Sequence, residues 1–189
     1  AAGARVVASD ISKELISIAR QKSPKEISYH HTTAHALPFL KNQSAQKIAI
    51  VLALQNIERM DETLAECARI LAQNGAVYIV LNHPAFRIPK GSSWGFSADE
   101  EVQYRRIDRY LSSITIEIEM HPGLNHEKTI SFHRPLQTYF KVLHKHGFAV
   151  GRLEEWNSAK KSQKGPRADA EDRARKEIPL FLALEACRK

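Results

Sequence analysis

Two short apolar runs constrain this chain more than any other feature. They are KIAIVLAL (Lys47–Leu54) and AVYIVL (Ala76–Leu81). Each is too short for a membrane-spanning helix, and both are rich in β-branched residues, so each reads as a strand buried on both faces. Between them, from Met60 to Ala72, apolar residues recur at helical spacing: Leu64, Cys67, Ala68 and Leu71. Asn74-Gly75 then supplies a stop, glycine accepting the left-handed conformation that closes a helix. A strand, an amphipathic helix and a second buried strand make a parallel crossover unit.

The same rhythm holds on either side. Arg5–Asp10 (RVVASD) reads as a strand, Ser12 as an N-cap and Lys13–Lys22 as the helix behind it. Pro24 ends that unit, Ile27–Thr33 alternates as a strand, and Leu37-Pro38-Phe39 begins a turn. The stretch from Asn82 to Glu127 breaks the pattern. It contains a GSSWG loop, a polar segment around Asp99–Tyr110 with the composition of a surface helix, and an alternating run Ser113–Met120. The pattern returns with a helix at Leu136–His146, a turn at Gly147 and a strand at Phe148–Glu154. A polar segment Asn157–Lys176 precedes a last strand at Leu180–Ala186. The expectation is one α/β domain over residues 1–189: a Rossmann-like, doubly wound, mostly parallel sheet with one antiparallel C-terminal strand. Residues 87–127 form an insertion placed to cover a substrate.

The formal net charge is +7. Part of the excess lies in Arg105, Arg106 and Arg109, and part in the tail from Lys160 to Lys176. There it is interleaved with Asp169, Glu171 and Asp172, followed by Glu177. That mixture describes a solvated surface and argues against nucleic acid as the partner. No apolar run reaches membrane-spanning length, and the first residues lack the pattern of a secretion signal. Cys67 and Cys187 lie far apart in apolar surroundings and read as reduced core thiols, which places the chain in the cytoplasm.

Four segments, in order, carry a resemblance: RVVASDISKELISIAR, TAHALPF, IVLALQNIERMDETLAECARILAQNGAVYIVLNHP and FHRPLQTYFKVLHKHGFAVGRLEEW. Together they resemble a class I S-adenosylmethionine-dependent methyltransferase, in the small-molecule branch that holds the ubiquinone and menaquinone methyltransferases. The resemblance implies S-adenosyl-L-methionine as cofactor and a small-molecule acceptor methylated at O, N or C. In that family a first strand and a GxGxG loop precede the segment that begins here. No G-x-G lies upstream of Arg5, so the expectation is an N-terminally truncated domain. Two alternatives follow: a methyltransferase-derived fragment that no longer binds cofactor, and a basic RNA-associated protein.

The resemblance also assigns roles. Asp10, with Ile11 beside it, ends the second strand of the family and would accept from the ribose hydroxyls; an N-cap is its plainer role. Ala34, His35 and Ala36 lie where the family turns beneath the adenine. The family's usual Asp is His35 here, which could equally be a solvent-facing loop histidine. Leu52, Ala53 and Gln55 border the methionine moiety, Gln55 and Asn56 alternatively serving helix entry. On the acceptor side stand Asn82, His83, Trp94, Tyr104, Arg106, Arg109 and His133. His83 and His133 are the candidate bases, against plain structural histidines, and the arginines could equally be a charged surface face. The sulfonium is itself a strong electrophile, so alignment does much of the work and no catalytic residue is fixed by sequence.

Overall fold

The computed structural model describes residues 3–121 and 125–188. Strand β1 (Val7–Asp10) leads into helix α1 (Lys13–Lys22), and β2 (Ser28–His31) returns parallel to β1. Ser12 caps α1 as expected, its hydroxyl accepting from the Leu15 N–H at 3.2 Å. Next come β3 (Ala45–Val51), a 3-10 turn at Leu54–Asn56, helix α2 (Met60–Ile70) and β4 (Leu71–Asn82), parallel to β3. Two antiparallel hairpins follow: β5 (Ser92–Ser97) with β6 (Val102–Ile107), and β7 (Ile114–His121) with β8 (Asn125–His133). Helix α3 (Leu136–Lys145), β9 (Phe148–Trp156), α4 (Ala168–Glu177) and β10 (Phe181–Arg188) complete the chain. Part of the expected insertion, residues 122–124, lies outside the described residues.

The main sheet runs β3-β4-β10-β9, and β10 is antiparallel to both neighbours. The antiparallel C-terminal strand expected from the sequence is therefore present. One face of this sheet holds the core. Val77, Ile79 and Leu81 of β4 and Leu182, Leu184 and Ala186 of β10 pack with Leu64 and Cys67 of α2 and Tyr139 and Leu143 of α3. Period-two residues of the strands meet the Met60, Leu64, Cys67 stripe of α2, so both periodicities serve one interface. Burial pushes the Cys67 thiol up to about 12, leaving it an inert filler.

Several expectations fail, each for a physical reason. KIAIVLAL is not buried on both faces. The strand stops at Val51, which is 60% exposed, because β3 pairs only with β4 among the described residues. Helix α2 ends at Ile70, two residues early, and the left-handed residue is Asn74 (φ 64), not Gly75. Gly75 is needed for space instead. A Cβ there would lie 2.8 Å from the Leu71 side chain and 2.9 Å from the Ala72 carbonyl oxygen. Gly75→Ala is expected to cost about 1–3 kcal/mol by overpacking, read as a lowered thermal midpoint.

The GSSWG segment is largely strand β5 rather than loop, and the polar segment Asp99–Tyr110 holds strand β6 rather than a helix. Its side chains alternate, Gln103 and Arg105 half-buried and Val102, Tyr104 and Arg106 exposed. Polar composition suited either state, and pairing with β5 decides it. The polar Asn157–Lys176 stretch contains most of α4, which packs Ala170 and Ala174 inward. Cys187 is exposed rather than core, near the C-terminal end of β10. No helix among the described residues is long and apolar enough to cross a membrane.

Candidate functional site

Asp10 stands at the carboxyl end of β1. Its Oδ1 accepts from the Ser12 N–H at 2.7 Å, which fixes the turn into α1. Capping of the helix falls to Ser12, and Asp10 Oδ2 accepts from no protein donor among the described residues. Ile11 beside it is widely exposed.

The turn after β2 places Ala34, His35 and Ala36 at the carboxyl end of that strand. His35 Nε2 lies 2.7 Å from Arg59 Nη1. A guanidinium only donates, so Nε2 is the acceptor and the ring proton sits on Nδ1. The acceptor nitrogen is thus engaged by Arg59. The following segment is clamped to α2. Arg69 donates to both oxygens of Glu66, to the Leu37 and Leu40 carbonyls and to Asn42 Oδ1, all within 3.0 Å. Glu66 also accepts from the Leu37 N–H at 2.8 Å. The Arg69 guanidinium holds the Glu66 carboxyl below its ordinary range, assisted by that backbone bond and opposed by burial.

At the end of β3, Leu52 adopts a left-handed backbone (φ 52). That conformation is uncommon for a residue with a Cβ. Its carbonyl accepts from Gln55 Nε2 at 2.8 Å, and Ala53 beside it is exposed. Gln55 is only 8% exposed, yet among the described residues its Oε1 has no partner, and neither has the buried Asn56 Oδ1. Buried polar atoms without partners are rare in folded proteins and call for a ligand or an ordered water.

Gln55 lines a cleft of about 20 Å³ with Asn82, Arg87, Ser131, His133 and Arg134. That room admits a water-sized group. His133, 6% exposed, donates from Nε2 to the Tyr110 carbonyl at 2.8 Å, which leaves Nδ1 as its lone-pair nitrogen. Arg134 donates from Nη2 to the Ile57 and Glu58 carbonyls, while its buried Nη1 has no hydrogen-bond partner among the described residues. Burial raises the pKa of the Tyr139 hydroxyl, against the pull of the Arg134 charge beside it.

His83 is differently placed. It accepts at Nδ1 from the Ala85 and Phe86 N–H groups at 3.1 and 3.3 Å, and its Nε2 donates to Glu155 at 2.8 Å. Both nitrogens are engaged, and the ring holds the loop that follows β4. Trp94, Tyr104 and Arg106 lie on the β5–β6 hairpin, outside the cleft lining. Arg106 is ion-paired with Asp108, and Arg109 is exposed beyond the hairpin. The structure therefore gathers Gln55, Asn82 and His133 and leaves the hairpin residues apart. Arg87, Ser131 and Arg134 were not among the residues expected from sequence. Arg134 adjoins His133 in the HRP segment, and that adjacency is the signal that could have found it.

Residues 1–79 match a family described as a methyltransferase domain. The chain superposes on an S-adenosylmethionine dependent methyltransferase from Mesorhizobium loti with a TM-score of 0.74, at 24% identity, covering 98% of this chain and 82% of that one. The fold is that of a class I S-adenosylmethionine-dependent methyltransferase. Among curated proteins it is 33% identical over 78 residues to the demethylmenaquinone methyltransferase of Chlorobaculum parvum, 41% of this chain and 32% of that protein. It is 27% identical over 115 residues to the biotin biosynthesis bifunctional protein BioHC of Cellvibrio japonicus, 61% of this chain and 22% of that protein. The chain thus spans a third or less of the curated relatives it matches. The methyltransferase-like α/β fold accords with the resemblance read from RVVASDISKELISIAR onward.

Proposed function

We propose that this chain carries part or all of the binding site of an S-adenosylmethionine-dependent methyltransferase acting on a small molecule. The observation that carries this reading is Asp10: a carboxylate ending a parallel strand, with one oxygen free of protein donors among the described residues, inside the segment that matches a methyltransferase domain. The acceptor atoms fit a donor-rich, cationic group. Asp10 suits the ribose hydroxyls, and the unpartnered oxygens of Gln55 and Asn56 suit an ammonium. Ile11 flanks the ribose and Ala34 and Ala36 line the adenine. His35 Nδ1–H can donate to an adenine ring nitrogen. Leu52 and Ala53 border the methionine.

When bound, the cofactor supplies an electrophilic methyl group. The chain's task is alignment, exclusion of water and, for acceptors that lose a proton, its removal. His133 Nδ1 is the proton acceptor in this reading, held in orientation by its bond to the Tyr110 carbonyl. Asn82 sits beside it in the cleft, and His83 fixes the loop above β4. The β5–β6 hairpin, with Trp94, Tyr104 and Arg106, and the exposed Arg109 form the acceptor cover.

The test is calorimetric titration of S-adenosylhomocysteine. Saturable one-to-one binding is expected. A chain shown to be folded by circular dichroism that gives no heat at millimolar ligand would sink the reading.

A further inference from the structure

We propose that the acceptor recognised at this cleft carries a terminal carboxylate, seated between Arg134 and Arg87. The inference rests on the methyltransferase reading and extends it to the acceptor's chemical class.

Three observations carry it. The first is the buried Arg134 Nη1, a cationic donor without a hydrogen-bond partner among the described residues, its guanidinium 5.1 Å from the Phe132 ring and beside the Tyr139 hydroxyl. Leaving a charged donor unsatisfied away from water is costly, and the group that meets it best is an anion. The second is charge balance. Arg87 lines the same cleft with its guanidinium 5.2 Å from the Phe181 ring. Arg105 lies close behind, donating to the Phe86 carbonyl and Ser92 Oγ. No ion pair among the described residues involves Arg87, Arg105 or Arg134. Loss of hydration holds Arg87 and Arg105 below the ordinary arginine value, and for Arg105 the Arg87 charge adds to it. Like charges kept together without a carboxylate among the cleft's lining residues mark a seat for an anion.

The third observation is geometry. The cleft is small, so only the end of an acceptor enters. A planar carboxylate matches the guanidinium fork with two parallel N–H···O bonds and is smaller than a tetrahedral phosphate. The acceptor's body then lies outside, toward the β5–β6 hairpin.

The probes are benzoate, the neutral isostere benzamide and inorganic phosphate, titrated by saturation-transfer and protein NMR without cofactor. Benzoate is expected to bind at the cleft more tightly than phosphate, and about tenfold more tightly than benzamide, the scale of one charged hydrogen bond. Arg87→Gln and Arg134→Gln should each weaken benzoate by about tenfold, and Lys25→Gln, an exposed lysine on the far loop, should leave it unchanged. Arg134 also supports two backbone carbonyls; should its variant fail to fold, Arg87→Gln, whose side chain makes no hydrogen bond among the described residues, decides alone. Equal binding of benzamide, tighter binding of phosphate, or benzoate affinity indifferent to Arg87→Gln would overturn the proposal. S-adenosylhomocysteine that fails to bind while benzoate behaves as expected would sink the methyltransferase reading and leave the anion seat standing.

Discussion

Arg69→Ala is expected to lower the unfolding free energy by about 2–4 kcal/mol, below the full cost of breaking a buried ion pair because the side chain keeps some access to water. Five hydrogen bonds leave with the guanidinium. Glu66, whose side chain is 13% exposed, is left without its counter-charge. The residue matters because of topology. The β1–β2 pair and the β3-β4-β10-β9 sheet share no strand pairing among the described residues. A two-stranded unit is marginal alone, and the segment from Leu37 to Gln43, pinned by Arg69, ties it to the core together with the His35–Arg59 hydrogen bond. Urea denaturation checks the magnitude. Arg69→Lys should fall between, since an ammonium cannot reproduce the fork.

The same clamp sets an acid limb. The Glu66 carboxyl is held below its ordinary value of 4.5 in the folded chain. Its contribution is therefore complete above that value and is lost as pH falls through the lower folded one. Wild-type stability should drop across that window, and Glu66→Gln should flatten the drop. A midpoint shift for Arg69→Ala within experimental error, or an acid limb indifferent to Glu66→Gln, would refute the clamp.

How much of this was legible can be traced residue by residue. Ser12 and Lys13–Lys22 were readable because cap and helix are local features, and the stripe of α2 because packing there needs only one face. KIAIVLAL misled because an apolar composition does not say how many neighbours a strand has. Val102–Ile107 misled because its charges suit either a helix face or an edge strand, and the choice belongs to β5 across the hairpin. In the site, Asp10 and His133 were marked by place and residue type. Arg134 and the orphaned Gln55 oxygen were not. Their significance is the absence of a partner, which only the folded arrangement reveals. His83 looked like a base for the same reason that it is not free to be one: a ring nitrogen at a strand end attracts backbone donors.

Asp10→Asn and Asp10→Ala separate the two roles of that carboxylate. Asn keeps a side-chain oxygen for the Ser12 N–H but surrenders the charge, so its stability should stay within about 0.5 kcal/mol of wild type. Ala loses the turn as well and should cost about 1 kcal/mol. Against S-adenosylhomocysteine both should weaken binding by about 10–100-fold, since a charged acceptor to hydroxyl donors contributes about 1.5–3 kcal/mol. Arg69→Ala provides the contrast. It loosens the unit that carries Asp10, so its binding defect should shrink as added ligand stabilises the fold by mass action. The Asp10→Asn defect should persist at every temperature at which the chain is folded. Should Asp10→Asn bind as tightly as wild type, the carboxylate serves the turn alone, and the ribose must be sought among other groups.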